Sequence, residues 1–501
     1  MTKSHGLFAG IDIGSNTVKI KIVQWHGGRL KTLEDVSSDL PMGDEVYTTR
    51  LISDTSTKRL LSIIQYYQSL LEQYQVEEYR VVATASLRQA DNAKFVIDAI
   101  YRTTGLIVEV IDDPVEKFLT YKSMRDHMVD YKQVREEGTV LVELTSRGCD
   151  VSFYRDNKML RNDEIGIGSL ELKSMLNNFI EDTPNYIQVL EEYIETKIDY
   201  VTKILKKRQI KNYLIVGGDI RTIAQTFFDN KRIMTRKEFI AFYERVTGDR
   251  EHLIQQSTMI GKDWREVLAS IVLFFVFLKM INSDRILIPE ISLRDGLISD
   301  LISRSSADGK RYQLFDEDPF SASFQAAKRF GIHSAHAKYV QRNGLQLFQI
   351  LARNYRLTPT DKKILHHAAH LHEIGKSLDL NDYYDASAQM IQGMRLFGVS
   401  SHELERIARI SYIIGQLHDA ESEIYTSPLQ DLQLGAILAV VDALDASKQQ
   451  KMKLTQMKID GNQLIIKYKT KQTVTMEQVM IQGLMASVSK IFGLRIHLEE
   501  A

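Results

Sequence analysis

The chain has 501 residues, too many for one compact core, so two to four domains are expected. Its composition, 44% hydrophobic and 26% charged, is that of a globular protein with ample core, and a formal net charge of −1 excludes attraction to a nucleic acid or other polyanion by overall charge. The single cysteine, Cys149, excludes a disulfide framework within the chain and predicts a reducing, cytoplasmic setting.

The first predicted element is a strand from Leu7 to Ile11, and Thr17 to Trp25 alternates like a second, with Asp12-Ile13-Gly14-Ser15-Asn16 at the turn between them. No apolar run before it would serve as a secretory signal. Gly14 lets backbone approach an anion, Ser15, Asn16 and Thr17 add donors, and Asp12 is suited to hold a hydrated divalent cation. The alternative is an ordinary hairpin whose turn residues serve geometry alone. A third strand is predicted over Arg29 to Val36, and a helix from Ser53 to Tyr74 through Leu60, Ile64, Tyr67 and Leu71. Val81 to Thr84 is a short buried strand leading through Ala85 to Asp91 into a helix from Asn92 to Thr103. Another strand, Leu106 to Ile111, precedes a helix around Glu116 to Met128.

Past the polar segment Asp126 to Glu137, Thr139 to Leu144 and Val151 to Tyr154 repeat the opening hairpin. A helix from Pro184 to Lys207 follows, acidic early and basic late as the helix dipole favours. Tyr213 to Val216 then runs into Gly217-Gly218-Asp219, either a plain turn or a ligand loop. The longest apolar run, Val267 to Leu278, is too short to cross a bilayer and reads as a buried helix, so no membrane partner is expected. Apolar patterning stops near Ser303 to Gly309; beyond it the pattern is helical to about Leu444, then strand, turn, strand, helix, strand to Leu498. The predicted divisions are 1–128, 129–304, 312–447 and 448–501, an α/β protein of two similar lobes followed by an all-helical region and a small α+β tail.

Asp-Ile-Gly-Ser-Asn-Thr at residues 12 to 17 resembles the first phosphate loop of the superfamily of actin, hexokinase and the heat-shock chaperone ATPases. Within it the wording resembles the branch of exopolyphosphatases and guanosine pentaphosphate phosphohydrolases (Ppx/GppA). Ala-Thr-Ala-Ser-Leu-Arg-Gln-Ala-Asp-Asn at 83 to 92 is similar to that family's Ala-Thr-x-x-Leu-Arg-x-Ala-x-Asn, which implies that Arg88 grips phosphate with its planar fork. Val110 to Phe118 falls where the family has its catalytic glutamate, implying Glu116 as general base; an exposed helix glutamate is the alternative. Ile288 to Leu297, Ile-Pro-Glu-Ile-Ser-Leu-Arg-Asp-Gly-Leu, resembles the Ser-x-x-x-Leu-Arg-Glu-Gly-Leu segment that closes the family's catalytic core.

The second phosphate loop departs from the family. Its glycine-rich wording is replaced by Glu143-Leu144-Thr145-Ser146-Arg147-Gly148-Cys149-Asp150, and the downstream Gly-x-x-Arg-Leu by Gly166-Ile167-Gly168-Ser169-Leu170. The resemblance implies two actin/hexokinase-like lobes holding inorganic polyphosphate or guanosine pentaphosphate between them. Asp12 and Glu143 are then expected to hold Mg²⁺, and Gly14, Ser15, Asn16, Thr17, Arg88, Arg147, Gly148, Gly217 and Gly218 to hold phosphate. Glu116 is expected to draw a proton from the attacking water. Either Arg147 makes good the lost glycines and hydrolysis is retained, or the site binds polyphosphate or an alarmone without cleaving it, as a regulatory protein would. A homodimer is what the resemblance implies.

The helical region resembles the HD-type domain of longer family members. His336, His372, Glu373 and Asp442 stand in the order of an HD metal site, with glutamate for aspartate, and are expected either to hold a second divalent metal or to be hydrogen-bonded core groups. His366, His367, His370 and His418 lie in the same region. From Lys448 to Lys471 seven lysines form either a solvated face or a surface for a long polyanion.

Overall fold

The computed structural model describes residues 5–26, 29–128, 130–145, 148–179, 183–228, 231–305, 317–417 and 423–500. The chain divides into two compact units, Met1–Asp318 and Pro319–Ala501. No helix among the described residues is long and apolar enough to cross a membrane.

The first unit contains two sheets of matching topology. In the first, β1 (His5–Ile13) pairs antiparallel with β2 (Thr17–His26), and β2 with β3 (Arg29–Asp39). On its other side β1 pairs parallel with β4 (Glu78–Ala83), and β4 with β5 (Val108–Val110), giving the order β3-β2-β1-β4-β5. The second is built from β6 (Thr139–Leu144), β7 (Cys149–Arg155), β8 (Lys158–Ile165), β9 (Asn212–Val216), β10 (Ile233–Thr235) and β11 (Arg285–Leu287) in the order β10-β11-β9-β6-β7-β8. Again three antiparallel strands lead, and β6 continues into parallel β9 and β11. The hairpin repeated in the sequence is therefore the start of a repeated lobe.

Period-two patterning sets the faces of the first sheet: Val18, Ile20 and Ile22 of β2 are buried against Leu60, Ile64 and Tyr67 of the helix Asp54–Gln73. In the second, all five residues of β9 are buried, the continuous apolar signature of a strand covered on both faces. The predicted buried helix is Trp264–Met280, covered nearly all round within that lobe's core.

Several elements differ from the sequence expectation. The helix expected near Glu116 to Met128 is Asp113–Lys122 followed by the short Met124–His127; it starts earlier because Pro114 suits a first turn and Asp112 is extended before it. The polar link before the second lobe contains the helix Tyr131–Glu136, and β8 was not foreseen because its charged residues mask a strand whose end, Ile165, is buried. Helix Leu293–Ser305 follows the second sheet in sequence yet packs on β1, β4 and the helix Asp113–Lys122 of the first lobe. Gly296 allows that crossing: a Cβ there would stand 1.9 Å from the Leu119 carbonyl oxygen.

In the second unit, helices Ser334–Tyr355, Pro359–Leu371, Ser401–Gln416 and Leu429–Ala443 share one core with β12 (Lys453–Asp460), β13 (Gln463–Lys469), β14 (Arg495–Glu500) and the helix Thr475–Phe492. Thr358 with Asp361, and Ser400 with Glu403, form capping boxes that fix two helix starts. The architecture is the predicted class: two α/β lobes, then helices, then a small α+β tail.

Candidate active site between the two sheets

Every loop singled out in the first unit lies at the carboxyl ends of parallel strands, where open α/β sheets place ligands. Asp12 closes β1 beside Val82 of β4. The turn after it is shut by the Gly14 N–H donating to the Thr17 carbonyl at 3.0 Å, and the segment 40–43 buttresses it through Gly43 N to Ser15 O at 2.8 Å and Leu40 N to Asn16 O at 2.9 Å. Gly14 thus spends its own N–H on the turn, and the Ser15 and Asn16 carbonyls are spent on the buttress.

Asp12 Oδ1 is buried and has no hydrogen-bond partner among the described groups. Burial, partly offset by Lys19 and Arg294, pushes its carboxyl up to about 6. A buried oxygen with no donor is the condition a cation relieves, so the carboxylate fits a divalent metal of oxygen preference.

Arg88 lies in the short helix Ala85–Gln89 at the end of β4. It donates to the Ile111 carbonyl at 2.6 Å, pairs with Asp113, and stands 3.8 Å from Glu116 Oε2. Glu116, one turn into the helix Asp113–Lys122, is pushed up to about 8 by burial first and then by the negative charges of Asp12, Asp113 and Glu143, with Arg88 opposing. The 35% of its side chain that stays open faces the solvent from which a water must come. Fields from Asp12 of the first sheet and Glu143 of the second both reach this one carboxyl, so the two lobes meet around it.

Glu143 on β6 accepts from the Tyr121 hydroxyl at 2.8 Å, and burial and Asp150 raise it to about 7. Lys117 binds Asp150 at 2.6 Å and lies 3.9 Å from Glu164. Lys117 and Tyr121, four residues apart, present one face of the Glu116 helix to the second sheet. The sequence reading missed both. Their only signal was that spacing beside Glu116, because the carboxylates they meet come from another lobe.

The altered second loop is closed by Thr145, whose N–H donates to Gly148 O at 2.9 Å and whose hydroxyl accepts from Gly148 N at 3.1 Å. Arg147 lies outside the described residues. Gly217 has φ +135°, and a Cβ there would meet the Leu144 carbonyl at 2.3 Å, so glycine is required where β9 leaves beside β6. Gly218 opens the helix Gly218–Phe227, which follows β9 directly. Arg294, by contrast, is buried, donates to Ile20 O at 3.0 Å and pairs with Asp35. The motif around it serves packing of the core.

In the second unit, described by itself, His336, His372, Glu373 and Asp442 bring one potential ligand atom each within 4.8 Å of one another. His336 Nε2 lies 2.8 Å from Asp442 Oδ1 and its Nδ1 2.8 Å from Asp445 Oδ2, while His372 Nε2 is 3.4 Å from Asp442 Oδ1. Burial opposes a charge on His336, but Asp442 and Asp445 raise it to about 9. Lys448 binds Glu373 at 2.5 Å, Lys376 binds the same carboxylate, and the Tyr384 hydroxyl donates to Asp442 Oδ2 at 2.8 Å. Of the other histidines, His366 stacks on Phe320 and His370 contacts Ser323 and Phe324, both as core groups; His418 lies outside the described residues.

Comparison with known proteins matches residues 21–305 to the model of the Ppx/GppA phosphatase family and residues 322–484 to that of Ppx/GppA phosphatase, domain III. Among curated relatives, a guanosine-5'-triphosphate,3'-diphosphate pyrophosphatase of Photobacterium profundum is 21% identical over 417 residues, 81% of this chain and 79% of that protein. One from Aeromonas salmonicida is 19% identical over 420 residues, 81% and 80% of the two chains. The crystal structure of the Aquifex aeolicus member of the Ppx/GppA family superposes with a TM-score of 0.51 at 21% identity, covering 60% of this chain and 98% of that one.

Proposed function

The chain belongs to the Ppx/GppA phosphatase family, and on that footing we propose that its cleft hydrolyses the terminal phosphoanhydride bond of inorganic polyphosphate, with guanosine pentaphosphate as the related substrate. The observation that carries this reading is the convergence on Glu116 of Asp12 from one lobe and Glu143 from the other, with Arg88 beside them.

In this mechanism the anionic chain end enters between the sheets, where Ser15, Asn16 and Thr17 and the backbone near Gly148, Gly217 and Gly218 donate to its oxygens. Arg88 exchanges Asp113 for two phosphate oxygens, a trade favoured by the fork geometry it offers. Glu116 takes a proton from water; the water oxygen bonds to the terminal phosphorus, the bridging P–O bond breaks, and the shortened chain leaves as an oxyanion. Asp12 and Glu143 are the residues that would hold Mg²⁺, which when bound neutralises phosphate charge. Lys117 keeps Asp150 paired, so the second lobe brings fewer uncompensated negative charges toward a polyanion.

The test is release of inorganic phosphate from long-chain polyphosphate with Mg²⁺, run beside guanosine pentaphosphate. Wild type should release phosphate, and Glu116→Gln should lose about 10²- to 10⁴-fold in rate while still binding the chain. Tight polyphosphate binding by wild type with no release above the Glu116→Gln level overturns hydrolysis and leaves the binding, regulatory reading.

A further inference from the structure

We propose that the second lobe carries a pocket for a nucleoside di- or triphosphate, separate from the cleft and built from Arg155, Tyr200, Lys203, Lys207 and Arg208. The helix Tyr186–Leu205 and the turn that ends it place Tyr200, Lys203, Ile204 and Lys207 at i, i+3, i+4 and i+7, on a single face. Arg155, at the end of β7, and Arg208 complete the wall of a surface pocket of about 490 Å³. Sites for small organic ligands run from roughly 300 to 1,000 Å³, so the volume is adequate for a nucleotide. Strand β7 starts at Cys149, beside the Asp150 that meets Lys117, and ends at Arg155, about 20 Å further along. The pocket therefore lies at the opposite end of the second sheet from the cleft.

Four cations line the pocket and no carboxylate does. Lys203 pairs with Asp199 one turn back along the helix. Arg155 donates to the neutral side-chain oxygen of Gln209 at 3.3 Å, and the Arg208 guanidinium lies 5.1 Å from the centre of the buried Phe153 ring. Among the described residues no carboxylate pairs with Arg155, Lys207 or Arg208. Like charges gathered at one wall repel, and an anion seated between them relieves that repulsion. The negative end of a helix dipole accounts for lysines at 206 and 207. It does not account for Arg155, which a strand delivers, or for Arg208, which a ring supports; both offer the planar fork that suits phosphate oxygens.

Tyr200 specifies what the anion is attached to. The residue is 68% exposed, and Arg161, itself paired with Asp163, stands 5.4 Å from the ring centre. An open aromatic ring beside phosphate-binding cations is a platform for a base, because every base has a π-face to stack. Inorganic phosphate makes no use of it. Three cations without carboxylate partners match the charge of a di- or triphosphate better than that of a single phosphate group.

The experiment titrates the full chain calorimetrically with ADP, GDP and pyrophosphate, and needs no turnover, so it is read whether or not the cleft hydrolyses anything. Both nucleotides are expected to bind about tenfold tighter than pyrophosphate, with Tyr200→Ala removing that advantage. The double variant Lys207→Glu, Arg208→Glu should weaken all three by tenfold or more, while Arg88→Ala, which alters the cleft, should leave pocket binding in place. Circular dichroism checks that each variant is folded. Photolabelling of the unsubstituted chain with 8-azido-ADP should mark the segment from Tyr200 to Arg208. Nucleotide binding that survives the double variant, or that is lost with Arg88→Ala instead, overturns the proposal, as does a photolabel confined to the cleft. Pyrophosphate binding as tight as ADP, with Tyr200→Ala indifferent, overturns the assignment to a nucleotide.

Discussion

Arg88 and the buried histidines are the residues whose surroundings give the sharpest expectations. Arg88 is the positive group that holds the Glu116 carboxyl below the level that burial and its negative neighbours would otherwise set. Arg88→Ala should therefore move the pH at which phosphate release is half-maximal upward, in addition to weakening substrate binding; an unchanged pH profile would show that the two side chains do not communicate. His366 and His367 are pushed down to about 4 and about 3, chiefly by burial. Each takes a proton more readily unfolded than folded, so the stability they contribute is present above about pH 6.5 and is lost as the pH falls toward 4. The loss should amount to about 3 kcal/mol at most for each of the two. Thermal melts between pH 7 and pH 4 read it, and replacing both by Gln should flatten the slope.

Among the elements, helix Asp113–Lys122 has the most to hold in register. One face carries Lys117 and Tyr121 to the second sheet, Glu116 stands beside Arg88, and Leu119 packs where helix Leu293–Ser305 crosses. Gly296→Ala puts a methyl group 1.9 Å from the Leu119 carbonyl, a contact that only a shift of one helix relieves. The expected cost is about 1–3 kcal/mol of stability. Because the displaced helix bears Glu116, phosphate release should fall with it, by more than the folded fraction accounts for. Activity falling only in proportion to folded protein would show that this crossing does not position the base.

For the whole molecule, the division into Met1–Asp318 and Pro319–Ala501 is a statement about cores. The helices and the β12–β14 sheet of the second unit share one apolar cluster, from Ala326 to Ile496. A segment with a core of that size is expected to fold alone. Residues 319–501 produced by themselves should therefore melt cooperatively, and a broad, non-cooperative transition would show that the unit depends on the first.

Much of this was legible in the chain itself. The repeated hairpin, the buried run at Val267 to Leu278 and the helical stretch before the lysine-rich tail are local periodicities, which each segment expresses without its neighbours, and they determined the architecture. Asp12, Arg88 and Glu116 were legible as candidates because their motifs are short and contiguous. Strand β8 and helix Tyr131–Glu136 were not, since charged residues on a half-exposed element erase its period. What only the tertiary structure decided is which distant groups become neighbours. Lys117 reaches Asp150, Tyr121 reaches Glu143, Lys448 of the lysine-rich tail binds Glu373, and Arg294 turns into the core toward Ile20. Pair energies between charges depend on separation and burial, and a linear sequence specifies neither until helices and sheets have packed.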